Sequence, residues 1–203
     1  MAVQTPLVER LITFIEDAYV MEEQIAQTLR RHIEQATAAP AVIRRRMQQH
    51  LAETEVQAKR MRQRLEAHGR DPSTLKTTGG QLVGNVVGLM GALRPDTLSR
   101  NMRDDYVTEH LEIAAYTMLI AAARAAGDDA TIKAAEASLR EEVLMADFLY
   151  QHLPEGLFAS FEQEGIPIPA PMHAEAVRGP RLHITFEPLK DVQDARAASK
   201  KRP

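Results

Sequence analysis

Leu11, Ile15, Ala18, Glu22, Ile25, Leu29 and Ile33 follow one another at spacings of 4, 3, 4, 3, 4 and 4. That period lines a single face of an α-helix and fits no strand, whose faces repeat every second residue. A second run, Ile132, Ala135, Leu139, Glu142, Ala146, Leu149 and Leu153, has the same character. Each run carries one glutamate where a helical bundle needs an apolar side chain. Glu53 and Glu112 hold comparable places on two segments between them. A buried, unpaired carboxylate is costly, because its charge is stripped of water. Several that converge hold a cation, or one another's protons.

The composition agrees with a helical core. Of 203 residues, 44% are hydrophobic but only 4% aromatic, with no Trp. Leu, Ile, Ala and Met must then fill the interior, and these suit helices better than sheets. With 26% charged residues the chain is globular rather than disordered. The net charge of −3 gives no electrostatic ground for nucleic-acid binding. Without cysteine there is no disulfide, thiolate site, iron–sulfur cluster or cysteine-bound zinc.

Turn signals divide the chain into four long helices. The first runs from Thr5-Pro6, with Thr5 as N-cap and Pro6 in the first turn, to about residue 36. Pro40 breaks it, and the second spans about 41–68 with Gly69 behind it. The third spans about 99–126, and Gly127-Asp128-Asp129 turns into the fourth, expected over 130–152 and closed by Leu153-Pro154-Glu155-Gly156. The loops read short, long, short. That order predicts an all-α, ferritin-like four-helix bundle, with a long crossover between the second and third helices that holds an extra short helix. The bundle occupies residues 1–160, and 161–203 form a Pro-rich, partly disordered tail. In that tail GIPIPAP excludes a helix, and Arg181 to Phe186 suits one short strand.

The crossover contains the most apolar stretch, Leu82 to Leu93, with three glycines. It is too short to span a bilayer. Its burial against a second copy would remove an exposed apolar patch, so a homodimer is expected. The N-terminus lacks a basic region followed by an apolar run, which points to the cytoplasm.

The polar positions form a seam. His50, Glu53 and Gln57 share a face of the second helix, and Glu109, Glu112 and Tyr116 share one on the third, with His110 beside them. Glu22, Glu53, Glu112 and Glu142 can therefore meet at one level. Glutamates with imidazole at a bundle centre suit iron or manganese. Glu23, Glu55 and Glu141 read as ordinary exposed glutamates, and Met145 as core. One familiar pattern is absent. Di-iron bundles place a histidine three residues after a glutamate on two helices. Here Val56 follows Glu53 and Met145 follows Glu142 at that distance.

Four stretches resemble a known family: Asp17 to Gln24 on the first helix, His50-Leu51-Ala52-Glu53-Thr54 with Gln57 on the second, Glu109 to Tyr116 on the third, and Glu141-Glu142 with Met145-Ala146-Asp147 on the fourth. They are similar to the YciE/YciF-type ferritin-like family of bacterial stress-associated proteins, over about residues 5–160. The resemblance implies a ferritin-like fold, a dimer, and a metal site at Glu22, Glu53, Glu112 and Glu142, supported by His50, Glu109 and His110. It supplies no substrate. Two functions compete: a metal-binding, redox-active bundle protein that handles peroxide or dioxygen under stress, and a structural or interaction protein whose polar centre is metal-free.

Overall fold

The computed structural model describes residues 6–77 and 97–169. Four helices account for most of them: α1 (Pro6–Gln35), α2 (Ala41–Ala67), α3 (Thr97–Ala126) and α4 (Asp129–Gln163), with a 3-10 helix at Pro72–Thr77. No strand occurs among the described residues. The extra crossover helix beyond Thr77, the segment Leu82 to Leu93, Thr5, and the strand and disorder expected in the tail lie outside them.

The bundle is a ring in which α1 packs on α2 and α3, and α4 packs on α2 and α3. Cross-helix bonds fix the directions. On α1 and α3, Glu22 meets Tyr116 while His32 meets Asp105, so residue numbers rise on one as they fall on the other. Gln57 meets Glu142 and Arg64 meets Asp128 on α2 and α4, again antiparallel. The α1–α2 turn is short, so the order is up, down, down, up. The chain leaves α2 at one end of the bundle and begins α3 at the other. The long crossover is thus a topological necessity, and the ferritin-like reading holds.

Local signals set the helix ends. Gly69 and Gly127 take φ of 73° and 74°, which L side chains rarely adopt. Each stands one residue before an amide that reaches back across the last turn, from Arg70 to the Leu65 carbonyl at 3.0 Å and from Asp128 to that of Ala123 at 2.9 Å. Arg44 clamps the α1–α2 turn by donating to the Ala36 and Thr37 carbonyls at 2.6 and 2.7 Å.

α4 corrects the sequence reading. It does not stop at His152 but continues through Pro154 to Gln163. Proline removes one backbone donor inside a helix, yet tertiary contacts offset that loss. Leu153 and Ala159 pack on a cluster that includes Leu98, Met102 and Leu149. The Ser160 hydroxyl accepts from the Ser99 amide at 3.2 Å. Gly156 leaves room for Met102, whose sulfur stands where a β-carbon would be.

The apolar interior falls into two clusters. One gathers Leu11, Ile12, Ile15, Tyr19, Met61, Leu65, Leu119 and Leu139. The other gathers Leu29, Ile43, Met47, Leu98, Met102, Met145 and Leu149. On α1 the first cluster runs through Ile25, past Glu22, and the second begins at Leu29; polar residues part the clusters on α2 at His50, Thr54 and Gln57, on α3 at Asp105, Glu109 and Glu112, and on α4 at Glu142. All are buried. A polar layer therefore crosses the bundle between two apolar ones.

Candidate metal centre

Four buried side chains meet in that layer. His50 from α2, Glu109 and Glu112 from α3 and Glu142 from α4 each offer an atom that lies within 4.8 Å of the others. Regular helix geometry brings them there. Glu109, Glu112 and Tyr116 lie three and four residues apart on the buried face of α3, and His50 belongs to the α2 face Met47, His50, Thr54, Gln57 and Met61. His50 Nε2 stands 3.1 Å from Glu109 and 3.6 Å from Glu142. Neither contact is aligned as a hydrogen bond.

Around this group lies a ring of supports. The Tyr116 hydroxyl donates to Glu22, which is completely buried. Gln57 donates to Glu142, and to Glu141 at 2.9 Å. Arg60 holds Glu141 through two bonds of 2.6 and 2.9 Å. On the outer side of His50, Nδ1 meets Glu53 at 3.2 Å, and Glu53 is itself held by Arg46 at 2.8 Å and Gln49 at 2.9 Å.

Much of the oxygen surface inside is unsatisfied. Both oxygens of Glu112, and one each of Glu22, Glu109 and Glu142, are buried without a hydrogen-bond partner. The ionisation follows. Burial pushes the Glu22 carboxyl up to about 8, against the pull of the Tyr116 bond. Burial, and then neighbouring carboxylates, hold Glu112 and Glu142 well above the usual carboxylate range. For His50 burial works downward, but Glu109 and Glu53 outweigh it and lift the imidazole to about 9. Partial burial works upward on Glu53, yet His50 and Arg46 bring it down to about 2. Without a cation, the centre is neutral only by holding protons.

The seven residues named from the sequence divide clearly. His50, Glu109, Glu112 and Glu142 come together. Glu22 lies within their electrostatic reach. Glu53 does not enter the interior: three residues from His50, it is turned about 60° around the helix, and its side chain is 22% exposed. His110 is exposed, with Nδ1 2.9 Å from the Tyr106 carbonyl and its ring against Tyr106. Glu141, read as an ordinary surface glutamate, is half-buried against Gln57 and Arg60. The sequence reading missed Asp105 and Asn101. They continue the Glu109–Glu112–Tyr116 face backward at spacings of four, and that was the available signal.

The donor set suits a hard or borderline dication. Carboxylates and one imidazole are ligands of iron and manganese, and the unpartnered oxygens lack the positive charge that such an ion brings. Fold and centre define a class, the four-helix bundles with a carboxylate–imidazole core. The comparisons with known proteins narrow it. The family model described as "Domain of unknown function (DUF892)" matches residues 7–161. The chain belongs to this family, which the YciE/YciF-type resemblance had indicated. Among solved structures, a protein of Xanthomonas campestris pv. campestris is 27% identical, with a TM-score of 0.63 over 77% of this chain and 97% of that one. YcfI of Rhodopseudomonas palustris is 26% identical, with a TM-score of 0.57 over 73% and 94%. The stress protein YciF of E. coli, at 19% identity and a TM-score of 0.58 over 76% and 99%, shares the fold.

Proposed function

We propose that the protein binds iron or manganese in this layer and serves a stress response, in which it handles peroxide or dioxygen. The observation that carries the reading is Glu112, a completely buried carboxylate with neither oxygen partnered, amid three other ligand-type side chains. Glu109, Glu112 and Glu142 would hold the ion, with Glu22 in reach as a further or bridging carboxylate. His50 would bind through Nε2, because Nδ1 faces Glu53; this is the carboxylate–histidine–metal order that fixes a ligand's tautomer. Glu53 acts as orienter rather than ligand, and His110 has no part. When bound, such a metal supplies one-electron redox chemistry. The protein's own contribution is a dry, rigid site in which Tyr116 and Gln57 aim the carboxylates. The stress role is supported by the description of YciF as a stress protein and by the shared fold.

The same reading takes the protein to be a cytoplasmic homodimer. No described helix is long and apolar enough to cross a membrane. A monomer mass by light scattering would refute the dimer.

The metal is tested by thermal melts of wild type and Glu142→Gln, each with and without manganese(II) or iron(II). Ligand at a hundred times its dissociation constant stabilises a native state by about 2.7 kcal/mol. Wild type is expected to gain on that order. Glu142→Gln gains little, while its metal-free form melts above that of wild type, because Gln is neutral without the proton uptake that burial imposes on Glu142. No metal-induced shift in wild type would favour the metal-free polar core, with the carboxylates sharing protons.

A further inference from the structure

Asp105 is the one buried acid in the polar layer that the centre does not use. It is 6% exposed, and its Oδ2 has no partner. Its other oxygen meets His32 Nδ1 at 2.6 Å across the α1–α3 contact. Asp105 sits one turn before Glu109 on the buried face of α3, and the charges of Glu109 and His50 act on it directly. Side-chain exposure falls in order along this line: 11% at His32, 8% at Asp105, 3% at Glu109 and 0% at His50. Every member carries a ligand atom for a dication.

The opposite flank of the centre is built differently. There the border carboxylates are already paired with arginines. Arg46 caps Glu53 beside His50, and Arg60 caps Glu141 beside Gln57 and Glu142. Guanidinium is cationic at any physiological pH and ligates no metal. A dication approaching there meets carboxylates whose charge is already neutralised by guanidinium. Along α1–α3 it meets an imidazole, which binds metals when neutral, and then an unpartnered carboxylate oxygen.

We propose that His32 and Asp105 form a transit site, through which a divalent cation passes from solvent to the buried centre. The inference rests on the proposed metal-binding function and adds the route and its residues. A hydrated ion exchanges water first for His32, then for Asp105 Oδ2, and is handed over the single turn to Glu109. The His32–Asp105 hydrogen bond holds the two ligands in place between passages. Asn101, which donates to Gln35 at 2.9 Å a turn further out, ties the same two helices together beside the route.

Loading kinetics test it. Metal-free protein is mixed with cobalt(II) by stopped flow, and the ligand-field absorbance of bound cobalt is followed to equilibrium. Asp105→Asn keeps size and shape, and His32→Gln probes the other partner; circular dichroism checks that both are folded. A removed charge or ligand on a focusing path is expected to slow loading by about tenfold or more, while the final cobalt-to-protein ratio stays that of wild type. Variants that load as fast as wild type would overturn the route and leave the metal centre standing. Variants that also lose bound cobalt at equilibrium would make these residues ligands of the centre, and overturn the transit role. If wild type takes up no cobalt, iron or manganese, the function and the route fall together.

Discussion

A one-residue difference in helix position separates the buried face of α2 from its border. His50 and Thr54 face the interior, and Glu53 between them does not. The consequence for Glu53 is an indirect role. With Arg46 and Gln49 it forms a fixed acceptor for His50 Nδ1, which leaves Nε2 toward the carboxylates. Loss of such an outer partner commonly weakens metal binding by about 10–100-fold. Glu53→Ala is therefore expected to raise the manganese(II) dissociation constant by about that factor while the binding stoichiometry is kept, as measured by calorimetric titration. An unchanged constant would show that His50 needs no orienting partner. At this scale the sequence was partly legible. Glu22 and Glu142 interrupt apolar stripes and can be found by period alone, and Glu112 shares a face with Glu109 and Tyr116. Glu53 could not be placed, because on α2 polar residues fill both the inner face and its border, so period alone does not say where the edge falls.

At the scale of the element, α4 depends on how it begins. Asp128 caps it, accepting from the Thr131 amide at 3.0 Å and the Thr131 hydroxyl at 2.6 Å. It also joins α4 to α2, through two 3.1 Å contacts with Arg64 and one of 2.8 Å with His68. Burial acts upward on its carboxyl, but the Thr131 bonds, His68 and Arg64 prevail and hold it below the usual range. A carboxyl whose folded pKa is depressed contributes stability above its unfolded value of 3.8, and that contribution is lost as pH falls below it. Asp128→Ala is expected to cost about 0.5–2 kcal/mol at pH 7 from the cap alone. Denaturant unfolding at pH 7 and pH 3 should show the gap between variant and wild type narrowing at the lower pH. A gap of constant size would mean that the charge of Asp128 is not what stabilises the cap. The start of α4 was readable from Gly127-Asp128-Asp129. Its end was not: the proline rule is local, whereas Leu153, Ala159 and Ser160 keep the helix going by contacts with residues more than 40 positions away.

At the scale of the whole molecule, the described residues form two apolar clusters divided by a polar layer, and this arrangement has an energetic signature. Ile15 and Ile43 are completely buried, one in each cluster. An Ile→Val change at such a site costs about 0.5–1.5 kcal/mol. Because the two sites share no packing partners, the costs in the double variant should add to within about 0.5 kcal/mol. A larger coupling energy from chemical denaturation would mean that the polar layer transmits packing between the clusters. Family, fold class, helix number and the short, long, short connections all followed from the sequence, because helical period, proline, glycine and capping residues act over a few positions. Only the tertiary structure decided which polar residues share a layer, that Asp105 and His32 extend it toward solvent, and that Arg60 of α2 pairs with Glu141 of α4 at its border. Those relations depend on the rotation and register of four helices against one another. A stripe of residues defines a face, but what stands opposite that face is set by the partner helix.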